Sequence, residues 1–384
     1  MKALADRRVA VVHDWITGRR GGEKLLEAVL AELPGAEVFT LVARRGALPG
    51  VESRHRIHQS WIGALPFATR VFPAFLPFFH RAMAGARLDG YDLVVSVSHC
   101  VAAAVKPPAG TPHVSICLTP ARYVWDLHED YLRAFAGPWG APVIGALVRP
   151  LRELWRRRDR RAVEGVTRFL AISCLVAERI ARCYGRESHI LHPPVEVAAF
   201  AEAGASVPRG ERFLCVSALR PNKRVAELVE AFEGLGLPLD VCGPASPRVL
   251  ARLRRRAPRW VALHGEVSEA ELRARVASCR ALVHPAIEDF GIAPVEAMAA
   301  GRPVIGCRNS GLRDSVIDDD TGRTGVLFEE PSVAGITAAV RRFLELEQSI
   351  DSESCRRRAE AFSTAVFRRR LRAELTAALT TEAE

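Results

Sequence analysis

Ala281-Leu282-Val283-His284-Pro285-Ala286-Ile287-Glu288-Asp289-Phe290-Gly291-Ile292-Ala293-Pro294-Val295-Glu296 is the stretch on which the reading of this chain turns. Residues 281–286 read as a short buried strand. Pro294 suits the first position of a following helix, where its missing N–H costs nothing. Gly301 suits a left-handed stop beyond the helix end. The amides of Phe290, Gly291 and Ile292 then lie at a helix N-terminus, an environment that favours phosphate oxygens. Glu288 on the loop and Glu296 in the first turn can both face a ligand held there. A carboxylate accepts two hydroxyl hydrogen bonds at once, which suits polyhydroxyl partners. A phosphate cradle flanked by hydroxyl acceptors points to a nucleotide sugar. The plainer alternative is a helix start whose acids only complement the dipole.

The surrounding chain sets the frame. Its 384 residues suit two domains, each able to bury a core, and 49% apolar with 26% charged residues is ordinary for a globular protein. Short apolar runs at 9–12, 38–41, 93–97, 113–117 and 169–172 alternate with helical patterns, as in parallel α/β sheets. A second set follows at 213–216, 239–242, 261–263, 281–283, 303–306 and 326–328. Two sets imply two Rossmann-like domains, 1–196 and 197–359. The junction falls at Pro193-Pro194-Val195, where two prolines forbid helix. Residues 360–379 read as a final helix.

Two further places carry chemistry. Gly21-Gly22 follows the first strand and precedes an amphipathic helix with Leu25, Leu26, Val29, Leu30 and Leu33 on one face. A side-chain-free turn there lets a ligand approach the positive helix end, although glycines required only by backbone geometry would look the same. The Gly-x-Gly-x-x-Gly dinucleotide fingerprint is absent from this loop, which argues against a dehydrogenase. Lys223 follows the strand ending near Ser217 and precedes a helix starting near Val225. A cation at the carboxyl end of a parallel strand is placed to neutralise a leaving diphosphate.

These motifs, with His13-Asp14-Trp15-Ile16-Thr17-Gly18, Gly21-Gly22-Glu23-Lys24, Thr119-Pro120-Ala121-Arg122-Tyr123-Val124-Trp125-Asp126, Pro193-Pro194-Val195 and Pro221-Asn222-Lys223-Arg224, resemble the retaining glycosyltransferases of family 4. The likeness runs over nearly the whole chain and leans toward the mannosyltransferase branch of bacterial surface-polysaccharide assembly. It implies the α/β GT-B fold, two Rossmann-like domains whose parallel sheets face a cleft, with the last helix (about 360–384) crossing back to the first domain. It also implies transfer of a hexose, mannose from GDP-mannose, to a saccharide or polyprenyl-linked acceptor, with no cofactor and no essential metal. By the same resemblance the glycine loop lies near the donor phosphates, Glu288 orients the sugar and Glu296 the ribose hydroxyls. Thr119, Arg122, Tyr123 and Asp126 fall on the acceptor side. The chain departs from the family twice. Ala218 stands where relatives pair an arginine with the lysine, leaving Arg220, Arg224 or a residue elsewhere to supply the second cation, and Leu118 stands where many carry a histidine. His99, after the run 93–97, is then the remaining polar candidate for catalysis, with a structural strand-end histidine as the alternative.

Charge adds a partner. Basic residues outnumber acidic ones by 54 to 44, giving +10, yet only Lys2, Lys24, Lys106 and Lys223 are lysines. Residues 149–168 hold eight arginines against three acids, and residues 61–81 interleave Trp61, Phe67, Phe72, Phe75, Phe78 and Phe79 with basic groups. Aromatic and basic residues together suit an anionic membrane surface. Solvated charge over core is the plainer reading, and no nucleic-acid module is recognisable. Nine scattered cysteines read as reduced thiols, His189 and His192 lack the company of a metal site, and no signal or spanning segment is legible. The expectation is a cytoplasmic protein, peripheral on the membrane. The rival readings are another GT-B enzyme (a UDP-sugar transferase, an epimerase or a phosphorylase) and a basic binding protein with a degenerate site.

Overall fold

The computed structural model describes residues 4–125 and 152–380. In the first half, strands β1 (Val9–His13), β2 (Glu37–Thr40), β3 (Ile57–Gln59), β4 (Leu93–Ser98), β5 (His113–Cys117), β6 (Arg168–Ala171) and β7 (His189–Ile190) form one sheet in the order β3-β2-β1-β4-β5-β6-β7. Every neighbouring pair is parallel. β1, β4 and β5 are buried at every residue, as expected where helices cover both faces of a parallel sheet. No apolar run marks β3 or β7, which read Ile-His-Gln and His-Ile. Both are edge strands, where half the backbone is unpaired and a hydrophobic run is a liability.

The second sheet contains β8 (Phe213–Val216), β9 (Leu239–Cys242), β10 (Val261–Gly265), β11 (Leu282–His284), β12 (Val304–Cys307) and β13 (Gly325–Phe328), in the order β10-β9-β8-β11-β12-β13 and parallel throughout. Each sheet starts in its middle, grows to one edge and then returns to grow the other way. The order reverses between β1 and β4, and again between β8 and β11. At such a switch point the connections leave on opposite faces, so a crevice opens at the carboxyl ends of the two strands.

The chain forms two compact units, Met1–Leu191 with Arg368–Glu384 and His192–Phe367. The boundary between Leu191 and His192 falls one residue before Pro193-Pro194-Val195. Val195 bridges to Ser363, and His192 Nε2 lies 3.1 Å from Asp314 Oδ2. The last helix, Thr364–Thr380, starts in the second unit and belongs to the first from Arg368 onward. There Glu374 accepts from Arg168 at 2.6 Å, and Arg372 pairs with Glu32.

All nine cysteines are free thiols, and all but Cys174 are buried. Burial pushes Cys215, Cys279 and Cys355 up to about 12, so they pack as small apolar groups. His189 contacts Glu374 and His192 contacts Asp314, which separates the two histidines. Among the described residues no helix is long and apolar enough to cross a membrane.

Candidate functional site

The segments after β8 and β11 build the crevice of the second unit. Beyond β8 the chain extends to Arg220 and tightens into a single turn, Pro221–Lys223. Arg224 then takes a left-handed conformation at φ 54° before the helix Val225–Leu235. A non-glycine residue in that region is uncommon, and here it separates the turn from the helix. The Lys223 ammonium donates to Glu288 Oε1. Arg224 is held by Glu227 at 2.8 Å, whereas Arg220 is exposed and has no acidic partner among the described residues.

Glu288 sits on the loop after β11, and its carbonyl accepts from the Gly311 N–H at 2.8 Å. His284, the buried last residue of β11, brings Nε2 to 3.3 Å from Glu288 Oε1. Burial alone would raise the Glu288 carboxyl, but His284 and Lys223 outweigh it and hold it down at about 2. Glu288 is thus an ionised acceptor across the working pH range. Two glycines keep its loop in place. A side chain at Gly311 would collide with the Asp289 carbonyl, and one at Gly291 would sit 2.7 Å from Leu312 Cδ1.

The helix of this segment runs Ile292–Ala299, with Gly291 at φ +93° as its N-cap and no side chain capping it. Two expectations are corrected here. Pro294 is the third helical residue, not the first, and Glu296 lies in the second turn; the first turn carries no acid. The cause is the left-handed Gly291, which lets the helix begin earlier than the proline signals. Any of the first positions tolerates proline, because their N–H groups have no partner within the helix. Phe290 is buried, its ring 5.5 Å from both His192 and Phe362, so only its backbone remains for a ligand. The helix stops at Gly301, φ +76°, with Arg302 N–H returning to the Ala297 carbonyl at 2.8 Å, which is a Schellman closure.

The first unit has its own cluster at the switch point. Gly21 and Gly22 are the first two residues of the helix Gly21–Glu32, and neither has a positive φ. Backbone geometry alone therefore does not require glycine there. A Cβ on Gly22 would lie 3.4 Å from Leu118 Cδ2 and 3.6 Å from His13 Cε1, so the bare backbone adjoins both side chains. His13, at the end of β1, puts Nδ1 2.8 Å from the Val97 carbonyl. Asp14 follows it and faces His99, which follows β4; Asp14 Oδ2 and His99 Nδ1 are 2.8 Å apart. Thr119 is buried and accepts from Arg179 at 3.2 Å. Arg122 is half-buried in the short helix Arg122–Trp125. The Tyr123 side chain and Asp126 lie outside the described residues.

Sequence analysis assigns no role to His284, and Asp14 enters it only as part of a quoted motif. Asp14 meets His99 where β1 and β4, non-adjacent in sequence, lie side by side, whereas His284 backs Glu288 from the strand that carries the loop. A polar residue ending an apolar strand run is the one signal both give.

Residues 199–362 match the family of glycosyl transferases group 1. That stretch spans β8 to β13 and contains Lys223, Glu288 and the helix Ile292–Ala299. Two curated relatives are similar over shorter pieces. The glycogen synthase of Mycobacterium tuberculosis is 38% identical over 107 residues, 28% of this chain and 23% of the relative. The alpha-1,3/1,6-mannosyltransferase ALG2 of Dictyostelium discoideum is 39% identical over 79 residues, 20% of this chain and 18% of the relative. The chain thus matches about a quarter or less of these relatives' length. Over nearly its whole length it resembles a solved structure of Anabaena Alr3699/HepE in complex with UDP-glucose. The TM-score is 0.64 at 14% identity, covering 96% of this chain and 99% of that one. The two parallel-sheet units are those of the GT-B fold, as the resemblance implied, and the group 1 domain is the second of them.

Proposed function

We propose that this protein is a retaining glycosyltransferase, moving mannose from GDP-mannose to a saccharide or polyprenyl-linked saccharide. The observation that carries the reading is the Lys223–Glu288 pair at the β8/β11 switch point, inside the group 1 domain and beside the uncapped helix start at Ile292. A diphosphate that draws Lys223 to itself leaves an ionised Glu288 to accept two sugar hydroxyls. Lys223 and the first helical amides then meet the charge that grows on the leaving phosphate, which is stabilisation of the transition state rather than of the ground state. Arg220 is the second cation within reach of the same turn. No carboxylate nucleophile is required, because the leaving diphosphate can take the acceptor proton. Glu296 serves the ribose from the second helical turn, and Thr119 and Arg122 are the acceptor-side residues. Likeness to a protein named a mannosyltransferase favours mannose, and likeness to a UDP-glucose complex makes the UDP sugars the competing donors. Hydrolysis and transfer measured across GDP-, UDP- and ADP-sugars test this. Turnover of GDP-mannose above the others supports it, and turnover of none removes it.

A second reading concerns the membrane. Phe67 is 75% exposed, and Trp61, Val71 and Phe78 are exposed as well, next to Arg70 and Arg81. Phe79 belongs to the core, and Phe72 and Phe75 pack against it. The arginines of the helical residues 152–162 are more occupied than their number suggests. Arg156 and Arg160 stack on Trp125 at 5.0 and 4.9 Å and both approach Glu153. The inserting element is therefore the aromatic rim, with basic groups as its flanks. Phe67→Ser should reduce sedimentation with vesicles containing anionic lipid while sugar-nucleotide hydrolysis is unchanged. Equal binding to neutral and anionic vesicles at low salt would remove the electrostatic part.

A further inference from the structure

Both sheets share one strand order, and each switch point holds one acid beside one base. In the second unit these are Glu288 and Lys223. In the first they are Asp14 and His99, at the carboxyl ends of β1 and β4. We propose that Asp14 is a positioning residue that fixes His99 as a cationic donor, its Nε2–H presented to a phosphate oxygen of a ligand at the β1/β4 switch point of the first unit. This rests on the glycosyltransferase reading above.

The geometry is over-determined. Asp14 is fully buried. Its Oδ2 accepts the His99 backbone N–H at 2.6 Å and faces His99 Nδ1 at 2.8 Å. Its Oδ1 accepts the N–H groups of Val101 and Ala102 at 2.5 and 2.7 Å. A carboxylate held by three backbone donors cannot rotate away, so the side chain of His99 meets it in one orientation. Trp15 packs against the His99 ring edge-on at 4.6 Å and removes the remaining freedom. With Nδ1 facing Asp14 at ion-pair distance, Nε2 is the ring nitrogen left for a ligand, on a side chain that remains 30% exposed.

The charges around it favour the imidazolium. Burial opposes the charge on His99, while Asp14 and then Glu23 favour it, and Arg122 opposes it; the result lies above the ordinary 6.5. His13 behaves in the opposite way. Burial outweighs both the Asp14 charge and the hydrogen bond that Nδ1 donates to the Val97 carbonyl, so its pKa is lowered and the neutral ring is favoured. A cationic donor suits a phosphate oxygen, and the His13 ring, 5.9 Å from that of His99, adjoins the side-chain-free Gly22 at a helix N-terminus. If Asp14 only caps the turn after β4, His99 would titrate without regard to it.

GDP and UDP are the probes, with affinity measured by calorimetry across the pH range in which the His99 ring is found to titrate, and His99→Gln as the control for ionisation of the terminal phosphate, whose pKa lies near 6. Wild-type affinity should fall on the order of tenfold as His99 loses its proton. His99→Gln keeps a neutral donor and should flatten this dependence. Asp14→Asn should move it to lower pH. Titration of carbon-13-labelled histidine by NMR reads the coupling with no ligand: the His99 ring should titrate above 6.5 in the wild type and lower in Asp14→Asn. If Asp14→Asn fails to fold, the wild-type titration and His99→Gln still decide. A His99 that titrates at or below its ordinary value, or a pH-independent affinity in a wild type that binds, overturns the proposal. A wild type that binds neither GDP, UDP nor any sugar nucleotide overturns the glycosyltransferase reading instead.

Discussion

Glu288→Gln keeps the volume of the side chain and removes its charge, leaving the Lys223 ammonium, only 20% exposed, with its counter-charge gone. A carboxyl held at about 2 instead of its ordinary 4.5 has its ionised form favoured by about 3 kcal/mol. Partial exposure of both partners discounts that to about 2 kcal/mol. For a unit of this size, such a loss lowers the thermal midpoint by about 4–8 °C. The sign with pH is fixed by the depressed carboxyl. Its contribution is complete above 4.5 and is lost as pH falls toward about 2. Scanning calorimetry at neutral pH should therefore show the second unit of the variant melting earlier than wild type, with the gap closing as the buffer is acidified below 4.5. Adding Lys223→Met should recover much of the difference, since replacing both partners costs less than orphaning one. Transfer should fall roughly 100-fold in Glu288→Gln, as for other positioned polar groups. Equal midpoints at neutral pH together with wild-type transfer would refute both the electrostatic account and the placement of the site.

Lys223→Ala should lower donor affinity and turnover together, while Lys223→Arg recovers only part because a planar guanidinium does not replace a compact ammonium; steady-state kinetics with the preferred sugar nucleotide decide it. Arg220→Ala should raise the donor KM more than it lowers kcat, and a silent Arg220→Ala beside a crippled Lys223→Ala would leave the lysine acting without it. Gly22→Ala should fold and melt like wild type, since its Cβ meets Leu118 and His13 only at ordinary contact distances, yet bind nucleotide more weakly in calorimetry. Gly311→Ala should destabilise the second unit by about 2 kcal/mol or more, because the Asp289 carbonyl has to move, and it should impair transfer by displacing Glu288.

Periodicity and punctuation are enough to read the parallel α/β scheme. Buried parallel strands are near-continuous apolar runs, and β8 to β13 can each be read to within a residue or two. β3 and β7 are not legible, because an edge strand of two or three residues with a single isoleucine leaves no hydrophobic period. Lys223, Glu288, Gly291 and the glycine stop at Gly301 are visible locally, since turn chemistry and strand ends are encoded within a few residues. The true start of the helix at Ile292 is not, because glycine conformation depends on what packs over it, here Leu312. The strand order is hidden altogether. It decides that β1 lies beside β4 and β8 beside β11, and hence that Asp14 meets His99 across 85 residues and Lys223 meets Glu288 across 65. A sequence carries residue types and local spacing; ionisation and orientation arise only when burial and a partner's charge act together. Those come from contacts between strands that topology alone makes neighbours.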